Sequence, residues 1–168
     1  MQIYDNFSIY VKLFEIYFPI QERSDDLLID QHEIPAEVPG GTETVLLVED
    51  EVLLLDIARS ALESKGYTVL TAIDGEDAIA LYASHRNEIH MVLSDFGLPK
   101  FTGYELYKKL ALLNPNVLMI ITSGFLEPGI HARIFEDGVK AFIQKPYRPY
   151  EVFRAIRRVL DDGMEKAP

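Results

Sequence analysis

A doubly wound α/β fold, with a five-stranded parallel sheet in a three-layer sandwich, is what the sequence predicts for residues 44–164, preceded by an N-terminal extension. Three observations carry that expectation. Five short apolar runs alternate with five amphipathic stretches, a rhythm that gives right-handed crossovers and a parallel sheet. The runs are rich in Val, Ile and Leu, which suits strands covered on both faces. Several of them stop abruptly in charged or hydroxyl residues, at the end of an open α/β sheet where ligands gather.

Taken in order, Thr44 to Val48 is the first strand and leads into Glu49-Asp50-Glu51. Glu51 to Lys65 is a helix with Leu53, Leu54, Ile57, Ala58, Ala61 and Leu62 on its inward face, and Gly66 stops it as a C-cap. Tyr67 to Ala72 is the second strand. Asp74-Gly75 opens the second helix, whose stripe is Ala78, Ile79, Leu81 and Tyr82. Ile89 to Ser94 is the central strand, followed by Asp95-Phe96-Gly97-Leu98-Pro99. Thr102 and Glu105 form a capping-box pair at the head of a third helix that runs to Leu113. Val117 to Thr122 is the fourth strand, Pro128 to Asp137 the fourth helix with Gly138 as its stop, and Ala141 to Gln144 the fifth strand. Pro149 to Asp162 closes the fold as a helix with Val152, Phe153, Ile156, Val159 and Leu160 inward.

Composition bounds what such a domain does. The 168 residues are 48% hydrophobic, contain no cysteine and carry a formal charge of −11. That charge disfavours nucleic acid and anionic lipid, both of which reward a basic surface. With Asp5 where a secretory signal wants positive charge, a cytoplasmic protein is expected. The apolar stretch from Phe7 to Ile20 is too short for a membrane span. It reads as strand, and residues 21–43, acidic and interrupted by Pro35, Pro39, Gly40 and Gly41, read as a linker.

Parallel neighbours would bring Glu49, Asp50, Asp95, Lys145 and a hydroxyl from Thr122 or Ser123 to one edge of the sheet. Three like charges at that spacing need a divalent cation or the ammonium to offset them, and Mg²⁺ suits such oxygen ligands. An aspartate beside Mg²⁺ and lysine is equipped to attack a phosphoryl group, because both cations neutralise charge developing on its oxygens. Asp95 is the expected nucleophile.

These residues resemble the receiver domain of two-component response regulators, a flavodoxin-like fold. Glu49 and Asp50 match the family's acidic pair, Asp95 its phosphoacceptor, Leu98-Pro99 and Gly103 the loop after it, and Lys145-Pro146 its lysine-proline dipeptide. The resemblance implies that Glu49, Asp50, Asp95 and the Gly97 backbone carbonyl hold Mg²⁺, that Lys145 pairs with phosphoryl oxygens after a cis peptide bond, and that a hydroxyl and an aromatic ring act as the switch. Ser123 is taken as that hydroxyl because Gly124 supplies the small residue that follows it, with Thr122 as the alternative; Phe142 falls at the ring position. Gly97 and Phe125 stand where polar side chains help position hydrolytic water, so slow self-dephosphorylation is expected.

The N-terminal Leu13-Phe14-Glu15-Ile16-Tyr17-Phe18-Pro19 looks like the last strand of a histidine-kinase ATP-binding domain, without its glycine-rich boxes. The whole is therefore similar to the C-terminal part of a hybrid histidine kinase: remnant strand segment 1–20, linker 21–43, receiver 44–164. None of the four histidines sits in a kinase phosphoacceptor box, so the implied partner is a histidine kinase or histidine phosphotransfer protein, and a homodimer is compatible. No output domain is expected after Pro168. A haloacid-dehalogenase-type phosphatase would need an acid where Gly97 stands. A receiver-shaped interaction module that never carries phosphate is the other rival.

Overall fold

The computed structural model describes residues 40–124 and 128–164. The expected strand segment 1–20, most of the linker, and Phe125 lie outside the described residues. The observed order is β1 (Thr44–Val48), α1 (Val52–Glu63), β2 (Thr68–Ala72), α2 (Gly75–Ser84), β3 (Ile89–Asp95), α3 (Gly103–Leu113), β4 (Met119–Ser123), α4 (Pro128–Glu136), β5 (Ala141–Gln144) and α5 (Pro149–Met164). All neighbouring strands pair in parallel, in the order β2-β1-β3-β4-β5.

Alternation along the strands divides the core into two layers. Val45, Leu47, Met91, Leu93 and Ile120 pack under α1 and α5, where Leu55, Leu62, Phe153 and Ile156 meet them. Leu46, Val48, Val92, Met119 and Ile121 face α2, α3 and α4, against Tyr82, Leu106, Leu110 and Ile134. The inward residues expected for α5 are all buried. Gly66 and Gly138, expected to stop helices, have left-handed backbone at φ 93° and 111°.

One expectation needs correcting. Leu53 and Ile57 of α1 are 72% and 59% exposed and Leu54 is exposed as well, while Leu55 is buried. Val52-Leu53-Leu54-Leu55 puts an apolar residue on every side of the helix, so periodicity alone does not choose the face. The packed stripe is Leu55, Ala58 and Leu62, spaced three and four apart.

The chain leaves β1 for β2 on one side, then returns to β3 on the other. That reversal opens a crevice past the carboxyl ends of β1 and β3. At the opposite rim, Arg157 of α5 donates from Nη1 to Oε1 of Glu43 at 2.6 Å and from Nη2 to Asp161 at 2.5 Å, which ties the last helix to the start of β1.

Candidate phosphoacceptor site

β3 ends at Asp95, and the loop after it turns back tightly enough that Gly103 N–H donates to the Phe96 carbonyl at 2.9 Å. A Cβ at Gly103 would lie 2.3 Å from the Asp95 carbonyl oxygen, so glycine is what lets α3 start there. The capping box of Thr102 and Glu105 is complete in both directions.

Three donors fix the Asp95 carboxylate. Lys145 Nζ lies 3.0 Å from Oδ1, Thr122 Oγ1 donates to the same oxygen at 3.4 Å, and the Gly97 amide donates to Oδ2 at 3.3 Å. Lys145 also reaches Glu49 Oε2 at 3.1 Å. Glu49 is buried just past β1, Asp50 beside it is exposed, and one carboxylate oxygen from each of Glu49, Asp50 and Asp95 falls within 4.8 Å of the others. Lys145 follows β5 and precedes a cis peptide bond to Pro146. Its amide donates to the Ser123 carbonyl at 2.7 Å.

The electrostatics follow from that crowding. Burial is the largest influence on Glu49 and lifts its pKa above the ordinary value, and the Asp95 charge adds to this; the Lys145 contact only partly offsets them. Burial alone would lower Lys145, but Asp95 and Glu49 together hold it above the ordinary lysine value. A lone ammonium thus leaves the carboxylates undercompensated. The hard oxygen donors within one ion's reach suit a divalent cation such as Mg²⁺.

The two candidate hydroxyls separate by face. Thr122 stands in register with Asp95 and shares its side of the sheet, while Ser123 is the next residue and therefore belongs to the Phe142 side. Phe142 is partly buried, with the His131 ring meeting it edge-on at 5.2 Å and also meeting Phe135 at 4.9 Å. His131 escaped the sequence reading, although its spacing of four from Phe135 was available. So did Tyr147, which lines a cleft of about 410 Å³ with Asp95, Thr122 and Lys145, floored by Leu93 and walled by Leu54 and Phe153. Its position after a lysine-proline pair carried no distinguishing pattern.

The family model for the response regulator receiver domain matches residues 45–157. The chain belongs to this family. It is thus a receiver domain of two-component signal transduction. The chain is 30% identical over 154 residues to the sensor kinase CckA of Brucella abortus, covering 88% of this chain but only 16% of that kinase's length. Similarity to the two-component response regulator ORR3 of rice is 30% over 125 residues, 73% of this chain and 95% of the relative. Among solved structures, a receiver domain from Clostridium thermocellum superposes with a TM-score of 0.71 at 22% identity, over 74% of this chain and 99% of that one. The CheX–CheY–BeF3–Mg complex from Borrelia burgdorferi matches with a TM-score of 0.66 at 27% identity, over 70% and 88%. No helix among the described residues is long and apolar enough to cross a membrane.

Proposed function

We propose that this receiver takes a phosphoryl group from a phosphohistidine onto Asp95 and changes conformation in response. The observation that carries the reading is the single cluster of Asp95, Glu49, Asp50 and Lys145, with the lysine in contact with two of the three carboxylates. An Asp95 oxygen attacks phosphorus, the phosphorus–nitrogen bond of the donor breaks, and the imidazole leaves. Glu49, Asp50, Asp95 and the Gly97 carbonyl would hold Mg²⁺, which when bound neutralises phosphoryl oxygens. Lys145 supplies the second positive charge. The BeF3 and Mg of the related CheY complex from Borrelia burgdorferi accord with this assignment.

In this reading Thr122, whose hydroxyl donates to Asp95 Oδ1, is the switch hydroxyl and Phe142 the ring that follows it; Ser123, preferred from the sequence, takes the opposite face of β4. A ring at the β5 edge with one helix against it is a two-state element that phosphoryl contacts can bias. The donor is a histidine kinase or histidine phosphotransfer protein, in the cytoplasm. The similarity to CckA extends beyond the residues that the family model matches, which supports reading 1–20 and 21–43 as the end of a kinase and its linker in a hybrid histidine kinase.

The experiment is Mg²⁺-dependent labelling by acetyl phosphate, read by intact mass, of the wild type against Asp95→Asn. The expected result is uptake by the wild type, none by the variant, and a shift around Phe142. An unlabelled wild type would instead mark a receiver-shaped interaction module.

A further inference from the structure

We propose that Lys100 is a positioning residue for the metal: bridging Asp74 and Glu76, it staples the loop after Asp95 to the head of α2 and so holds the Gly97 carbonyl in place to ligate Mg²⁺. The inference rests on the reading of Asp95 and its neighbours as a Mg²⁺-dependent phosphoacceptor site and adds a residue which that reading does not use.

Among the described residues other than glycine, Lys100 alone has left-handed backbone, at φ 72°. Glycine would sit there without strain and asparagine nearly so, whereas the Cβ of a lysine crowds the following carbonyl. The side chain offsets that cost. Its ammonium lies 3.1 Å from Asp74 Oδ2 and also pairs with Glu76, and both carboxylates belong to the turn that opens α2. Asp74 is already fixed, because its Oδ1 caps α2 by accepting from the Asp77 amide at 2.9 Å. One carboxylate therefore serves the helix with one oxygen and the loop with the other.

The bridge joins the supports of the metal-site acids. Glu49 N–H donates to the Ala72 carbonyl at 3.2 Å, so the strand end that leads into α2 also carries the Glu49 backbone. Gly97, three residues before Lys100, donates its amide to Asp95 Oδ2 at 3.3 Å. Lys100 thus closes a circuit from Glu49 through Ala72 and Asp74 to Gly97 and Asp95. Neighbouring contacts do not replace it. Leu98 is buried in the core layer that faces α2, and the Phe101 ring lies against Gly75, but apolar contacts carry no direction. An ion pair with two carboxylates at a helix head sets where the loop stops.

The probe is Mg²⁺ alone, followed by titration calorimetry. Lys100→Asn tolerates left-handed backbone and removes the cation; Lys100→Arg keeps the cation. Lys100→Asn is expected to bind Mg²⁺ about threefold more weakly, the size of an exposed ion pair, and Lys100→Arg to match the wild type. Glu76→Gln, which leaves the backbone and the Asp74 cap untouched, should fall between. At saturating Mg²⁺, Lys100→Asn and wild type should take label from acetyl phosphate at the same rate. The difference in affinity should vanish at about 1 M KCl, where an exposed bridge is screened. In metal-free protein, amide exchange at Gly97 should quicken in Lys100→Asn while the urea midpoint does not fall.

Equal Mg²⁺ affinities for wild type and Lys100→Asn would overturn the proposal. So would a deficit that arginine does not restore, one that survives high salt, or one matched by a global loss of stability. If the wild type binds no Mg²⁺, the proposal falls with the metal site. If it binds Mg²⁺ but takes no label, the phosphoacceptor reading fails alone, and the affinities of the variants still decide the role of Lys100.

Discussion

Replacing Glu49 with glutamine should make the metal-free protein more stable. Lys145 attracts Glu49 across 3.1 Å, worth roughly 5 kcal/mol at an effective dielectric of about 20. Asp95, with a carboxylate oxygen within 4.8 Å, repels it by about 3–4 kcal/mol on the same scale. The remainder, about 1–2 kcal/mol, is smaller than the several kcal/mol it costs to bury a carboxylate, which is why the Glu49 pKa lies above the ordinary value.

A folded-state pKa raised above the unfolded one means stability that is full below the ordinary carboxylate range and lost as pH rises through the folded value. Glutamine does not titrate. Wild type and Glu49→Gln should therefore unfold alike near pH 4 and diverge above it, with the variant ahead by on the order of 1 kcal/mol at pH 7, about 4 °C in melting temperature. Scanning calorimetry in EDTA measures this directly. With Mg²⁺ added the order should narrow or reverse, because the variant has lost a ligand. A variant less stable than wild type at pH 7 in EDTA would refute the reasoning, since Lys145 would then more than offset burial.

Three further outcomes are expected. Arg157→Met leaves Glu43 buried without its cation, and urea unfolding at pH 7 should show a loss of about 2–3 kcal/mol. Although burial opposes it, Arg157 holds the Glu43 pKa below the ordinary value. That contribution is present above the ordinary carboxylate range and lost as pH falls through the depressed value, so the gap between wild type and Arg157→Met should shrink in acid. Gly75→Ala places a Cβ 2.0 Å from the Phe101 ring, so thermal melts should report a cost of about 1–2 kcal/mol as the ring moves aside. Finally, Gly97 has no side chain with which to hold a water near Asp95, so phosphorylated protein should lose phosphate slowly when monitored by intact mass in Mg²⁺, and Gly97→Asn should not slow it further.

Much of this architecture was legible because periodicity and punctuation agreed. Ala141 to Gln144 matched the fifth strand to the residue, and Thr102 with Glu105 announced the third helix through its capping pair. The fourth strand starts at Met119 and includes Ser123, a shift that apolar content could not register because Val117 and Leu118 are as hydrophobic as Met119 and Ile120. The face of α1 failed because four successive apolar residues, Val52 to Leu55, encode no direction. In the site, the strand-end acids and lysine were readable from chemistry alone. The division of labour between Thr122 and Ser123 was not, because adjacent residues on a strand differ only in which face they take, and register decides that. Tyr147 and His131 owe their places to packing between elements distant in sequence.

The tie between Arg157 and Glu43 has an architectural consequence. It fastens the residue just before β1 to α5, while the acidic cluster opens at the other end of the strands. A pull on the start of β1 is therefore shared with the last helix, at the end of the strands remote from Asp95.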